Sequence, residues 1–177
     1  MYYTGIGSRE TPPETLELML RYSEYLALKG YGLRSGGAKG ADSAFQSVHE
    51  RLGVEQEIFI PWNGFQGLYH DPQRGIYLAS QFPNWEVASR LASHHHPVWE
   101  RLSQGARALH TRNVYQILGP TLNQPSVAVV CWAPILPHSQ VKGGTGLAVR
   151  LALSRQIPVF NLYAPEIVDK IQKLLEN

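Results

Sequence analysis

The sequence has very little cysteine and no long apolar run. Its single cysteine, Cys131, excludes an internal disulfide and a cysteine-rich metal cluster. No uninterrupted apolar stretch is long enough for a membrane-spanning helix, and the first residues, MYYTGIGSRE, lack the charged-then-apolar order of a secretion signal. We therefore expect a cytoplasmic protein that makes no membrane contact.

The sequence also lacks an excess of charge of either sign. Its 16 Lys and Arg residues nearly balance its 14 Asp and Glu residues, for a formal net charge of +2. This balance argues against a dedicated duplex-binding protein, which concentrates positive charge, but it leaves other nucleic-acid ligands open. With 177 residues, the chain is long enough to bury a substantial core, and we expect one domain over residues 1–177.

Short apolar runs alternate with helical periodicity along most of the chain. The pattern predicts strands at Tyr2–Ile6, Tyr31–Ser35, Glu57–Pro61, Val127–Trp132 and Ile157–Leu162, with helices between them and after the last. This alternation is typical of a parallel sheet that is covered on both faces. We predict an α/β protein with a three-layer Rossmann-like fold, a mainly parallel sheet and helices on both faces. We expect residues 61–105 to form an irregular or helical insertion.

Glycine-rich turns follow three of the predicted strands or the loops behind them. In such a sheet, ligands bind at the carboxyl ends of the strands, where the strand order reverses. Glycine lets backbone N–H groups approach a ligand closely, and the N-terminus of the following helix favours a phosphate. The turns therefore predict a phosphate or nucleotide site formed by Gly5, Gly7, Ser8, Arg9, Ser35, Gly36, Gly37, Lys39, Gly143, Gly144 and Thr145.

Two familiar phosphate-binding motifs are absent from the sequence. GIGSRE has Glu10 where the dinucleotide motif needs its third glycine, and the second predicted strand carries Arg34 near its end instead of an acidic residue for the ribose. The P-loop order is also missing. Since adjacent imidazoles on a helix point in different directions, His94-His95-His96 does not predict a metal site. We expect no cofactor and no metal.

Several short motifs occur in an order that resembles a known superfamily. They are GIGSR near the start, SGGAKGAD at 35–42, HTRN at 110–113, GGTG at 143–146 and IPVFNL at 157–162. In this order they resemble the superfamily that contains the DNA-processing protein A (DprA/Smf) Rossmann domain and the Lonely Guy (LOG) phosphoribohydrolases. The resemblance covers residues 1–50 and 109–162. The length looks like that of a compact stand-alone member, of the kind found among phage and bacterial proteins.

The resemblance to the DNA-processing branch implies a protein that binds single-stranded DNA and helps to load a recombinase. In that branch, the SGGA and RN segments contribute to a positively lined phosphate pocket. The corresponding residues here are Arg9, Ser35, Gly36, Gly37, Lys39, Arg112 and Asn113.

The resemblance to the Lonely Guy branch implies a nucleoside monophosphate in the same pocket and cleavage of its N-glycosidic bond. Arg112 matches the arginine of that branch, but its glutamate is missing, because Leu147, Ala148 and Val149 follow the GGTG turn. Glycoside cleavage needs a carboxylate near the reacting bond. The catalytic candidates are therefore Arg112 with a relocated carboxylate from Asp42 or Glu86, or from Glu100.

Three functions remain open from the sequence. The first is a nucleotide-phosphate-binding protein for single-stranded DNA or a nucleotide, in which aromatic side chains of the 61–105 segment contact base or sugar. The second is a nucleoside 5′-monophosphate N-glycosidase with a relocated carboxylate. The third is a non-catalytic sensor or inhibitor that binds a host protein. Because relatives with this fold often pair, we expect a homodimer.

Overall fold

A computed structural model describes residues 1–177, apart from the side chain of Ser139. The elements follow one another as β1 (Tyr2–Gly7), α1 (Pro13–Leu28), β2 (Gly32–Ser35), α2 (Ala41–Leu52), β3 (Gln56–Ile60), β4 (Ile76–Leu78), α3 (Trp85–His94), α4 (Gln104–Leu118), β5 (Val129–Trp132), β6 (Ile135–Leu136), β7 (Gln140–Val141), α5 (Gly144–Ser154), β8 (Val159–Asn161) and α6 (Pro165–Leu175). Short 3-10 turns lie at Pro72–Arg74, Ala79–Gln81, Trp99–Arg101 and Pro137–Ser139.

The main sheet is parallel throughout the described residues. Its strand order is β4-β3-β2-β1-β5-β8, and each neighbouring pair runs in the same direction. The order reverses at β1, which pairs with β2 on one side and with β5 on the other. The carboxyl ends of β1 and β5 therefore border the crevice in which such sheets bind ligands.

Helices cover both faces of this sheet. On one face, α1, α2 and α6 pack against inward side chains that include Ile58, Ile60 and Val130. On the other face, α3, α4 and α5 pack against side chains that include Phe59 and Cys131. Successive strand residues contribute to opposite cores because side chains alternate across a strand. The three-layer Rossmann-like fold predicted from the sequence is confirmed.

Some elements lie outside the strands and helices predicted from the sequence. Within residues 61–105 the chain forms β4, α3 and three of the 3-10 turns, and β4 extends the sheet at its edge. After β5, residues 135–141 form the antiparallel hairpin β6–β7. Each of β4, β6 and β7 has only two or three residues, which is too short to show a period-2 pattern. The three-residue β8 was predicted because it lies within the longer apolar run Ile157–Leu162.

Two local features fix the ends of helices that cover the sheet. Ser103 caps α4, because its Oγ accepts a hydrogen bond from the Ala106 N–H at 3.2 Å. Gly53 ends α2 in the left-handed conformation, with φ 65°.

In the part of the chain that the structure describes, we find no helix with the length and apolarity to cross a bilayer.

Candidate anion-binding cleft

A cleft of about 490 Å³ opens at the carboxyl edge of the sheet, beside β1 and β5. The turn after β1, the turn before α2, one face of α4 and the first turn of α5 all contribute to it. The lining residues are Ile6, Gly7, Ser8, Arg9, Glu10, Ala38, Asp42, Phe65, Gln66, Ala106, Leu109, His110, Arg112, Asn113, Gln116, Pro134, Lys142, Gly143, Gly144 and Thr145.

Arg112 forms the floor of the cleft. It projects from α4, is only 6% exposed, and its Nη1 donates to the carbonyl oxygens of Gly36 and Phe59. Its guanidinium also lies 5.3 Å from the centre of the Phe65 ring. Burial lowers the pKa of Arg112, and the nearby Asp42 raises it. The Nε of Arg112 is buried and has no hydrogen-bond partner among the described residues.

Asp42 joins the first two glycine turns beneath the cleft. Its Oδ1 accepts a hydrogen bond from the Gly7 N–H at 3.1 Å, and its Oδ2 accepts from the N–H groups of Gly36 at 3.2 Å and Ala38 at 3.4 Å. Burial raises the pKa of Asp42 to about 6, while Arg112 and these three N–H groups act in the opposite direction. The carboxylate is thus a bridge between the end of β1 and the start of α2.

The N-termini of α2 and α5 differ in whether an acidic side chain lies near their partial positive charge. Asp42 stands in the first turn of α2, so that helix already has an anion at its N-terminus. The first turn of α5 has no acidic residue and no side-chain cap, and Gly143, Gly144 and Thr145 line the cleft there. Within 4 Å, a Cβ on Gly143 would meet no atom from outside the turn, and one on Gly144 would meet only Nδ2 of Asn113, so the start of this turn has room for a ligand.

His110 lies on the same face of α4 as Asn113 and also borders the cleft. Its ring centre is 4.5 Å from that of His96, and its Nδ1 is buried without a hydrogen-bond partner in the described part of the chain. Burial lowers the pKa of His110 to about 4, and the positive charges of His96, Arg150 and Arg112 contribute in the same direction. The imidazole is therefore neutral at neutral pH.

The segment after β3 supplies the outer wall of the cleft. Phe65 and Gln66 line it, and Trp62 packs edge-on against Phe65 with ring centres 5.5 Å apart. Trp62 and Tyr69 remain 42% and 64% exposed. An apolar wall therefore stands beside the cationic floor, so an occupant of the cleft would meet both a charged and an aromatic surface.

The structure brings together a large part of the site predicted from the sequence. Gly7, Ser8, Arg9, Asp42, Arg112, Asn113, Gly143, Gly144 and Thr145 all line the cleft. Gly5, Ser35, Gly36, Gly37 and Lys39 are not among the lining residues. Glu86 is an exposed residue on α3, and Glu100 is a 90% exposed side chain that pairs with Arg107, so neither belongs to the lining.

The non-lining glycines meet other parts of the protein. A Cβ on Gly5 would lie 2.5 Å from the Phe45 ring, so this glycine lets α2 pack against β1. A Cβ on Gly36 would lie 2.0 Å from Nη1 of Arg112. Gly37 has φ +68° and would place a Cβ 2.5 Å from Leu68. These positions need glycine for the close approach of protein atoms, and Ser35 serves a similar end by donating to the Gly5 carbonyl at 2.6 Å.

Several lining residues were not predicted from the sequence. On α4, Ala106, Leu109, His110 and Gln116 lie seven, four, three and three residues from the predicted Asn113, which are the spacings of one helix face. Extending this period from Asn113 would have found them. Phe65 is one of the aromatic residues of the 61–105 segment that the sequence analysis expects to contact a base or sugar. No local pattern pointed to Gln66 and Lys142.

Comparison of the fold with solved structures gives two similar proteins. DNA processing protein A from Helicobacter pylori, described for its single-stranded DNA binding mode, matches with a TM-score of 0.56 and 17% identity, over 99% of this chain and 79% of that one. The fold resembles that of DNA processing protein A. The Moco carrier protein of Chlamydomonas rheinhardtii matches with a TM-score of 0.51 and 16% identity, over 98% and 82% of the two chains.

The fold resemblance predicted from the sequence motifs is thereby confirmed. At these identities the likeness concerns the fold alone. No protein-family profile matches the sequence, and no curated protein matches it significantly. Any assignment of function therefore depends on the chemistry of the cleft.

Proposed function

We propose that the cleft binds the phosphate group of a nucleotide, either as a free nucleoside monophosphate or as part of a single strand. The observation that carries the proposal is the open N-terminus of α5, which faces the same cleft as the buried, incompletely bonded guanidinium of Arg112. A helix N-terminus offers free N–H donors and partial positive charge to an anion. Arg112 supplies a full charge from the floor.

The charges around the cleft favour an anion at α5 over one at α2. Arg9 and Lys142 are exposed cations on its rim, and Glu10 is an exposed acid next to Arg9. Asp42 is engaged with backbone N–H groups and neutralises the α2 end. A phosphate would therefore bind between Lys142, Arg9 and the first turn of α5, where no acidic side chain of the helix competes.

The size and walls of the cleft fit one nucleotide unit. Its volume of about 490 Å³ lies in the range of small-molecule sites. Phe65 offers an aromatic face to a base or sugar, and stacking on such a face tolerates any base. The shared fold with a protein described for single-stranded DNA binding supports the polymeric form of this ligand. The fold shared with the Moco carrier protein supports a small ligand.

Thermal unfolding with two ligands tests the proposal. A ligand that binds only the folded protein raises the melting temperature, so either a single-stranded oligonucleotide or a nucleoside 5′-monophosphate is expected to do so. Binding of a strand through several phosphates weakens steeply with added salt, whereas binding of one nucleotide weakens less. If neither ligand shifts the transition, the nucleotide proposal is wrong and a protein partner becomes the leading candidate.

Catalysis is tested separately, by incubating the protein with the same nucleoside monophosphate. Glycosidic cleavage would release free base from the monophosphate, which chromatography detects. Asp42 and Glu10 are the carboxylates that line the cleft among the described residues. Asp42 therefore stays a candidate for that role, and Glu10 takes the place of Glu86 and Glu100. If the monophosphate stays intact after prolonged incubation, the binding function stands and the N-glycosidase activity is excluded.

Thr145→Glu is expected to weaken binding of a nucleoside monophosphate by at least about tenfold, because it places a carboxylate where the phosphate would bind. The fold should tolerate the change, since an acid in the first turn favours the helix dipole. Isothermal titration measures the affinity. Val87→Glu adds the same charge to the first turn of α3, at a 43% exposed position outside the lining, and should leave the affinity unchanged. Equal affinities for both variants would remove α5 from the site.

A further inference from the structure

The buried side-chain atoms without a partner cluster at the cleft. In the described part of the chain, the Nδ1 of His110 and the Nε of Arg112 are two of three such atoms, and both residues line this cavity. A buried polar atom without a hydrogen bond is costly, so its partner is expected to be a water or a ligand. For these two atoms, that partner would come from the cleft.

The surroundings of His110 are mainly cationic. His96, from the segment after α3, has its ring centre 4.5 Å from that of His110. Arg150 approaches from α5, with its Nε donating to the His95 carbonyl at 2.8 Å, and Arg112 stands on α4 itself. The other charged groups along the cleft are Arg9, Glu10, Asp42 and Lys142.

We propose that His110 is a binding residue of the cleft and takes up a proton from solvent when an anion occupies it. This inference rests on the proposed function, because it needs an anion at the same site. Once the ring is doubly protonated, both of its nitrogens are hydrogen-bond donors. The unpartnered Nδ1 then has an anionic oxygen as its acceptor, which the empty cleft does not supply.

The electrostatics give the direction of the coupling. Without an anion, burial and the neighbouring cations hold the pKa of His110 at about 4. A dianion beside the ring offsets the neighbouring positive charges and raises that pKa. The anion's affinity is then independent of pH above the raised pKa. It increases as the pH falls towards about 4, by up to about tenfold per pH unit.

Proton NMR of the imidazole rings tests this coupling directly. Inorganic sulfate is the probe, because it remains a dianion over the whole range and any change in protonation belongs to the protein. The His110 signal is identified as the one missing from His110→Gln. We expect saturating sulfate to raise the pKa of that ring by about two units. We also expect sulfate affinity to rise between about pH 7 and pH 5 by about tenfold more in the parent protein than in His110→Gln, which keeps the titration of Asp42 with its pKa of about 6.

A matched control variant and a second ligand distinguish a failure of the proton coupling from a failure of the anion site. His94→Gln removes an exposed ring whose Nδ1 lies 2.8 Å from the Arg90 carbonyl, and it should keep the full pH dependence. If sulfate shifts the amide signals of Gly144 and Thr145 while the pKa of His110 stays constant, the coupling is wrong and the anion site stands. If neither sulfate nor thymidine 5′-monophosphate moves those signals, the anion site itself is wrong and the coupling falls with it.

Discussion

Arg112→Ala is expected to lower the free energy of unfolding by about 3 kcal/mol, in addition to weakening any anion binding. The guanidinium is part of the protein interior, where it donates to the carbonyls of Gly36 and Phe59. Alanine would leave both carbonyls without this donor and would remove the cation near Asp42. Urea unfolding followed by circular dichroism measures the loss.

A second arginine on the same helix provides the control. Arg107 is 38% exposed and pairs with Glu100 at 3.5 Å, so Arg107→Ala should cost less than about 1 kcal/mol. Similar losses for the two variants would mean that the buried contacts of Arg112 do not stabilise the cleft floor. In that case Arg112 would act on a ligand alone, as the sequence motif by itself implies.

Asp42→Asn is expected to lower the free energy of unfolding by about 2 kcal/mol and to weaken anion binding. The two carboxylate oxygens accept three backbone N–H groups from two turns. Asparagine keeps one acceptor oxygen but presents an NH₂ group where the other oxygen was. At least one of those N–H groups would then face a donor, and the turn after β1 would separate from the turn before α2.

The expected loss of stability in Asp42→Asn is the difference between two opposing effects. Burial raises the pKa of Asp42 to about 6, so the charge itself is costly at neutral pH and its removal returns part of the stability. Glu86→Gln is the control, because Glu86 is an exposed carboxylate on α3 outside the cleft, and it should change stability by less than about 0.5 kcal/mol. If Asp42→Asn proves as stable as Glu86→Gln, the bridge between the turns contributes nothing.

Arg112→Ala and Asp42→Asn both test whether these side chains fix the turns of the cleft before a ligand binds. Arg112 and Asp42 hold the carboxyl ends of β1, β2 and β3 in fixed positions through backbone contacts. The lining turns then have a defined geometry before any ligand arrives. Preorganised donors bind an anion with less ordering cost than mobile ones do. These two residues therefore serve stability and binding through the same contacts.

The sequence predicted the fold from the alternation of apolar runs with helical periodicity. Strands such as β1 and β5 are long enough to carry a pattern, and the parallel arrangement follows because helices connect them. The elements that escaped prediction, β4 and the hairpin β6–β7, are two or three residues long. Their pairing depends on neighbours that are distant in the sequence.

The sequence by itself determined that glycine turns meet at one edge of a parallel sheet, because topology places all strand carboxyl ends there. Only the tertiary structure decided which of these residues face the cleft. Gly143 faces open space, whereas Gly5 lies against Phe45 and Gly36 lies against Arg112. Whether a glycine serves a ligand or a neighbouring side chain depends on the direction of the turn and on the helix packed over it. Both depend on packing between residues that are distant in the sequence, which no local sequence pattern encodes.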